Sequence, residues 1–355
     1  LKLTRKLSIF DEVRYTLLNN LTFKDCDFIE CIFWTSELFY SGFIIELCEL
    51  LFETYYNFYA IKYPKYESKI NSKLSKKNIK SILYVVNLLY YTPKITTDVF
   101  EIYQKNPKSI NKIYLMNHKN FKFLETLNVD NKYYKFVAAL HKGNFNNIMY
   151  YIKNNTFKNY NELYDSVKKY FNIVKGMKLK DKSLDSIHIS DKNLIILSLI
   201  CYLFSDTTYI NKRKIFRKFD VKEYKKELDD FETMSGANNY EILKSNPLYH
   251  ISRDIGCFSL NRFKFENVKN EVRYHWDYHC TSSPVWKDRL KKFKFKIDDT
   301  KKSLIFENVI EEEEFYESFD YEFDEQTKEL QDCIIPNIKD NTITNWIEKL
   351  KKLIK

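Results

Sequence analysis

Over the first two-thirds of the chain, hydrophobic residues recur at the three- and four-residue spacing of amphipathic α-helices. Asp27 stands three residues before Glu30, which is the spacing of a capping box at a helix start. That helix is expected to end at Ser41-Gly42. Further helical patterns occupy residues 43–63, 78–91, 131–142, 144–154, 160–174, 191–205, 220–232 and 337–354. The pattern predicts a mainly α-helical protein whose multi-helix body is a stack of helical hairpins.

The pattern changes after Asn246-Pro247. Residues 293–297 alternate strictly between apolar and polar, and a second apolar run follows a short polar stretch at 304–306, which predicts a β-hairpin. Residues 311–319 predict an acidic helix. We therefore expect a helical body over 1–246, a small C-terminal α+β module over 247–336 and an amphipathic helix over 337–355. The apolar face of that last helix contains Ile343, Trp346, Ile347, Leu350 and Ile354.

Glycine is scarce, and this excludes several kinds of active site. The chain has 5 glycines, the closest two of which stand 20 positions apart. Phosphate-binding loops, dinucleotide-binding turns and serine-hydrolase elbows need closely spaced glycines, because the backbone must turn with positive φ or approach a ligand closely. We therefore expect a protein that is not an enzyme and that carries no cofactor.

Cysteine content and hydropathy indicate the setting of the protein. The 7 cysteines are an odd, scattered set, which favours reduced thiols in an intracellular protein over a disulfide framework. The longest apolar run covers 194–204, whereas a membrane-spanning helix needs about 20 residues. The sequence therefore predicts no membrane span.

Charge is distributed unevenly along a chain of net charge +10. Residues 307–332 contain 12 carboxylates and one lysine, so the rest of the chain is strongly basic. Clustered cations with interleaved aromatic residues are typical of surfaces that bind nucleic acid. The cations of the strongest such cluster are Lys212, Arg213, Lys214, Arg217 and Lys218, and a second basic stretch covers 62–80. A solvated helix face is the interpretation we favour for both stretches.

Histidines and cysteines are concentrated near the C-terminal end of the sequence. On a helix, His275 and His279 would share one face, which is a spacing that lets two imidazoles reach one metal ion. Cys257 is a candidate third ligand, and the set would then indicate a metal-dependent enzyme. The interpretation that we favour is a packed aromatic patch with hydrogen-bonded imidazoles.

Several short segments resemble a known family. They are Tyr274-His275-Trp276, residues 283–289, Glu314-Phe315-Tyr316 and residues 321–326, with residues 34–38, 41–42, 58–60 and 63–65 in the N-terminal part. Together they are similar to an uncharacterised protein family of large nucleocytoplasmic DNA viruses, the mimivirus-like group. The resemblance implies a viral origin and an intracellular setting in the host cytoplasm or viral factory, with the virion as an alternative. It implies no activity and no site.

The combined pattern favours a non-enzymatic assembly or scaffold protein that binds a protein partner, viral or host. Buried aromatic side chains often dominate interface energies. The expected interaction anchors are Trp276, Trp286, Tyr316 and Tyr321, with ordinary core packing as the alternative for each. The second hypothesis is a nucleic-acid-binding accessory factor in viral replication, transcription or packaging. The third is the metal-dependent enzyme. The oligomeric state stays open.

Overall fold

The protein is mainly α-helical, as the sequence predicts. The computed structural model of the chain describes residues 1–93, 95–105, 107, 131–154, 159–177, 184–187, 189–205, 219–234, 240–243, 248–250, 260–319, 325–335 and 339–354.

The helices of the body follow one another through short connections. They are α1 (Phe10–Phe23), α2 (Phe28–Tyr40), α3 (Ile44–Thr54), α4 (Tyr66–Leu74), α5 (Ile79–Tyr91), α6 (Asp98–Gln104), α7 (Asn131–His141), α8 (Phe145–Lys153), α9 (Tyr160–Lys175), α10 (Lys192–Phe204) and α11 (Lys225–Thr233). A π-helical turn covers Tyr55–Tyr59, and 3₁₀ turns cover Leu184–Ser186, Val221–Tyr224 and Asn261–Lys264.

The C-terminal part combines short helices with strands. The helices are α12 (Val268–Cys280), α13 (Pro284–Leu290), α14 (Val309–Phe319), α15 (Lys328–Ile334) and α16 (Ile343–Ile354). The strands are β1 (Leu248–His250), β2 (Phe295–Asp298), β3 (Ser303–Phe306) and β4 (Lys339–Asn341). Strands β2 and β3 form the predicted antiparallel hairpin, whereas β1 pairs in parallel with β4, which the sequence pattern did not indicate.

Helix α1 is the central helix of the body, with α2, α3, α5 and α16 packed around it. Of its 14 residues, 13 are buried. Its buried polar side chains have partners: Asn20 Nδ2 donates to Glu30 Oε1 at 3.1 Å, and Asn19 Oδ1 accepts from Trp346 Nε1 at 3.0 Å. A helix buried on all sides needs no apolar stripe, so the sequence pattern did not indicate α1.

Helix α16 follows the predicted amphipathic pattern closely. Trp346, Ile347 and Leu350 are buried in the core of the body, and Ile343 and Ile354 pack against its margin. The indole of Trp346 lies 5.3 Å from the ring of Phe23 and 5.6 Å from that of Phe100, measured between ring centroids. The last helix therefore completes the body core.

The C-terminal residues 260–335 that surround the β2–β3 hairpin, here called the hairpin module, have a hydrophobic core of their own. Its buried members from the C-terminal part lie between Val268 and Ile335 and include Trp276, Trp286 and Phe315. Leu3, Leu7 and Ile9 belong to the same core and are buried there. The segment of residues 3–9 is thus a structural part of the module, although the whole helical body lies between the two in sequence.

Hydrogen bonds hold this N-terminal segment between the module and the body. The Leu3 N–H donates to Ser283 Oγ at 2.8 Å on the module side, and the Arg5 N–H donates to Ser41 Oγ at 2.8 Å on the body side. Arg5 Nε lies 2.9 Å from Glu37 Oε2 in a buried ion pair. The division of the chain at residues 246 and 336 stays a prediction, and the segment shows that the two cores share an N-terminal connection.

Candidate functional site

The hairpin of β2 and β3 has one covered edge and one open edge. In the antiparallel register, Ile297 lies opposite Leu304 and Lys296 lies opposite Ile305. The Leu304 N–H points away from β2, because it donates to Asp277 Oδ2 on α12 at 3.0 Å. Helix α12 therefore covers the outer edge of β3.

The same register determines where the backbone groups of β2 point. In an antiparallel pair, directly opposite residues alternate between a pair that exchanges hydrogen bonds and a pair that does not. Since the Leu304 N–H points outward, Ile297 belongs to a pair without such bonds, and its own N–H and C=O also point outward. The Glu307 N–H donates to Lys294 O at 3.0 Å, which fits this alternation. Among the described residues, no hydrogen bond reaches the N–H groups of Phe295 and Ile297.

Exposed aliphatic side chains occur on the hairpin and at the start of α14. The exposed fraction is 49% for Ile297 and 51% for Ile305, on β2 and β3. It rises to 66% for Val309 and 67% for Ile310 at the start of α14. Single exposed apolar residues are common on protein surfaces, whereas larger groups of them are typical of surfaces that bind other molecules.

Lysines flank the open edge and give it a partly basic character. Lys294 and Lys296 are exposed on either side of Phe295. Lys294 Nζ lies 3.1 Å from Glu307 Oε2, and its backbone N–H donates to Glu311 Oε2 at 2.9 Å. Glu307 thus offsets the charge of Lys294, and Glu311 at the start of α14 binds its backbone. Lys296 takes part in neither of these two contacts.

The structure places Trp276 and Trp286 inside the module core. The indole of Trp286 is fully buried, and its Nε1–H donates to the Thr4 carbonyl at 2.8 Å. Trp276 lies 5.5 Å from Trp286 and stacks on Phe315 at 5.7 Å, between ring centroids. Core packing, the alternative considered for both residues, describes their contacts, because each indole is enclosed by residues of this chain.

Tyr316 lies at the margin of the same core. It is half-buried and contacts Trp276 edge-on at 5.8 Å between ring centroids. An anchor role for Tyr316 stays a prediction. Tyr321 lies outside the described residues.

His275 and His279 lie on α12, where each imidazole has a different partner. The helix is kinked at His275, whose φ of −135° interrupts the helical spacing between the two residues. His275 Nδ1 donates to the Lys302 carbonyl at 2.9 Å, and His279 Nε2 donates to Glu271 Oε2 at 3.0 Å. The ring of His275 thus ties α12 to the hairpin, whereas the ring of His279 bonds to a side chain of the same helix.

Burial also governs the charge of His279. It lowers the pKa of His279 to about 4, although the hydrogen bond with Glu271 acts in the opposite direction. His279 is therefore neutral at pH 7. Cys257 lies outside the described residues, and the described part of the chain contains no group of three or more His, Cys, Asp and Glu side chains placed to hold a metal ion.

The structure describes the basic stretch at 62–80 but not the basic cluster at 212–218. Lys212, Arg213, Lys214, Arg217 and Lys218 all lie outside the described residues. In the second stretch, Lys69 and Lys73 on α4 lie over the ring of Tyr84, at 5.0 and 4.5 Å from its centroid. Nucleic-acid binding by these residues stays a prediction.

The sequence pattern indicated the hairpin but not its open edge. That edge depends on which side of the hairpin α12 covers, which is a long-range contact.

Within the described residues, no helix is both long enough and apolar enough to cross a bilayer. No protein-family model, no curated protein and no solved structure matches this chain.

Proposed function

We propose that this chain is a non-enzymatic assembly protein that binds an extended segment of a partner protein as an additional strand beside β2. The open edge of β2 carries this proposal. Unpaired N–H and C=O groups on an edge strand are a template for a further strand, and many peptide-binding domains use this mode. Main-chain hydrogen bonds supply affinity in such complexes, while alternate side chains supply specificity.

The side chains on β2 define the chemistry of the partner segment. Side chains alternate between the two faces of a sheet, so a residue opposite Lys296 would share its face, and a residue opposite Ile297 would share the other face. Opposite charges and aliphatic pairs stabilise such cross-strand positions. The partner segment therefore carries an acidic residue beside Lys296 and an aliphatic residue beside Ile297.

The intracellular setting and the viral origin belong to the same proposal. Scattered cysteines support the setting, and the resemblance of residues 274–276 and 283–289 to proteins of large DNA viruses supports the origin. The glycine content supports a role without phosphate-loop or hydrolase chemistry. In this proposal the helical body positions the hairpin for assembly.

The test is selection of binding segments on the full-length chain. A displayed library of random ten-residue segments is panned against the immobilised protein, and enriched segments are synthesised and titrated. We expect enriched sequences that alternate acidic and aliphatic residues. Binding is expected to weaken at least about tenfold for Ile297→Pro, because proline removes the outward N–H.

Ile297→Val is the matched control, because it retains the N–H and an apolar side chain. Since the N–H of residue 297 takes no part in the β2–β3 ladder, Ile297→Pro should keep the hairpin, which circular dichroism and thermal unfolding would verify. Segments that bind wild type and Ile297→Pro equally would place the interaction elsewhere. Enrichment of no alternating sequence would also contradict the proposal, and self-association lost in Ile297→Pro would replace the foreign partner by a second copy of this chain.

A further inference from the structure

A small cavity lies where the π-helical turn meets helices α4, α9 and α10. Its volume is about 80 Å³. Three tyrosines and one carboxylate contribute to its wall: Tyr55 from the π turn, Glu67 from α4, Tyr164 from α9 and Tyr202 from α10. Since a water molecule needs about 10–15 Å³ by this kind of measure, the cavity has room for a compact group of several non-hydrogen atoms.

Tyr55 is the first residue of the π turn, and Ala60, directly after the turn, also lines the cavity. The Ala60 N–H donates to the Tyr55 carbonyl at 2.9 Å, which is the i to i+5 bond of a π-helix. Such turns are rare in proteins and occur frequently at functional sites, because the extra residue changes the direction of the side chains that follow.

Hydroxyl groups around the cavity have their protons directed to the protein backbone. The Tyr55 hydroxyl donates to the Tyr63 carbonyl at 3.1 Å, and the Ser198 hydroxyl donates to the Ile195 carbonyl at 2.8 Å. These two groups therefore offer oxygen lone pairs, and no proton, to a guest. A guest anion would need donors in their place.

The charged groups of the wall also favour a cation over an anion as the guest. Within the described part of the chain, no lysine, arginine or histidine lines the cavity, whereas the carboxylate of Glu67 does. Burial, together with the charge of Glu67, raises the pKa of the neighbouring Tyr56 well above its ordinary value. The wall thus combines three tyrosines with one carboxylate.

We propose that this cavity binds a small alkylammonium cation, held by the rings of Tyr55, Tyr164 and Tyr202 and by the carboxylate of Glu67. Aromatic faces attract quaternary ammonium groups through the ring quadrupole, and cages of several rings are how proteins recognise choline and methylated lysine. A trimethylammonium head matches the size of the cavity. Its source is either a free small molecule or the side chain of a methylated lysine.

The test is a titration of the protein with choline. Binding is detected by calorimetry and by changes in the tyrosine signals of NMR spectra. The comparison compound is 3,3-dimethylbutan-1-ol, which has the same shape without the charge. We expect choline to bind at least about tenfold more tightly than the neutral alcohol, because only the cation gains from the ring faces and Glu67. Equal binding of the two compounds would overturn the proposal.

Variants identify the site. Tyr202→Leu and Glu67→Gln are each expected to weaken choline binding about tenfold, whereas Tyr202→Phe keeps the ring and most of the affinity. Tyr274→Leu, at an exposed tyrosine of the hairpin module, is the matched control and should leave binding unchanged. Unchanged binding in Tyr202→Leu and Glu67→Gln would also overturn the proposal.

Peptides distinguish the two sources of the cation. Peptides that carry one trimethyllysine are compared with the same peptides carrying unmodified lysine. Preferential binding of the methylated peptide, lost in Tyr202→Leu, would support the proposal with a modified polypeptide as the source. Binding of choline alone would support it with a free cation as the source. Failure of both probes to bind would reject the cation site and would leave the strand-binding proposal untouched, because that proposal concerns the hairpin.

Discussion

The indole N–H of Trp286 donates to the carbonyl oxygen of Thr4 at 2.8 Å, across 282 positions of the sequence. Both groups are buried. The bond holds residues 3–9 in the module core, where Leu3 and Leu7 are also buried. An unpaired buried carbonyl costs about 1–3 kcal/mol, so this contact stabilises the connection between the two cores.

Trp286→Phe should loosen the N-terminal segment. The change removes the indole donor, leaves the Thr4 carbonyl without its partner and creates a small void, which should lower the free energy of unfolding by about 2–4 kcal/mol. Hydrogen exchange is the specific readout, since the Leu3 N–H is bonded to Ser283 Oγ. We expect faster exchange at residues 3–9 than in wild type. Unchanged exchange there would show that the indole does not hold the segment.

Glu37→Gln should destabilise the protein strongly through Arg5. The two side chains form a buried ion pair with 2.9 Å between Arg5 Nε and Glu37 Oε2. Removal of one partner leaves a buried charge unpaired and should cost about 3–5 kcal/mol in urea unfolding. The control is Asp288→Asn, which breaks an exposed pair with Lys291 and should cost less than about 1 kcal/mol. Equal effects of the two changes would contradict the burial argument.

Gly42→Ala and Gly176→Ala form a matched pair of backbone tests. Both glycines have positive φ, +85° for Gly42 and +66° for Gly176, so alanine at either position costs about 1–2 kcal/mol in strain. A Cβ at Gly42 would lie 2.7 Å from Pro284 Cβ, whereas at Gly176 no atom lies within 4 Å. We expect Gly42→Ala to cost about 1–3 kcal/mol more than Gly176→Ala in thermal or urea unfolding. Equal costs would mean that Pro284 moves aside without penalty.

Glu12 should make stability fall as pH rises through the acidic range. Its carboxylate lies 2.6 Å from Arg262 Nη1, yet burial outweighs this charge and raises the pKa of Glu12 to about 7. Between about pH 4.5 and 7.5 the folded chain therefore binds more protons at Glu12 than the unfolded chain does, so the free energy of unfolding decreases with rising pH. The contribution lost over this window is about 3 kcal/mol.

Glu12→Gln should remove that contribution. The measurement is urea unfolding of wild type and Glu12→Gln at several pH values, and the difference between the two curves isolates Glu12 from the other carboxylates. Glu312→Gln, at an exposed position, should leave the wild-type slope intact. A Glu12→Gln variant that keeps the wild-type slope would show that Glu12 is ionised throughout the window.

Local sequence patterns predicted the helices and strands that have one buried face and one exposed face. Helix α16 has a buried face and an exposed face, and the hairpin alternates, so both followed from periodicity. Helix α1 is buried on all sides and carries polar residues with buried partners, so its sequence has no stripe. The sequence marks Trp276 and Trp286 as large aromatic side chains, but it could not show that residues of this chain enclose them.

The proposed sites depend on contacts between distant parts of the chain. Tyr55, Tyr164 and Tyr202 stand far apart in sequence, and nothing in their local surroundings indicates a shared cavity. The open edge of β2 likewise follows from Asp277 on α12, which occupies the other edge. The shared face expected for His275 and His279 assumes a regular helix, and the kink at His275 alters the helical spacing between them.

The packing of residues 3–9 into the module has a consequence for synthesis on the ribosome. These residues are synthesised well before the module core that buries Leu3 and Leu7, which begins at Val268 and ends at Ile335. At about 5–20 residues per second, its completion follows roughly 15–70 s later. During this interval Leu3 and Leu7 are accessible to chaperones, and the nascent body can acquire helices but cannot close its connection to the module. The two cores can therefore be joined only after Ile335 has been synthesised.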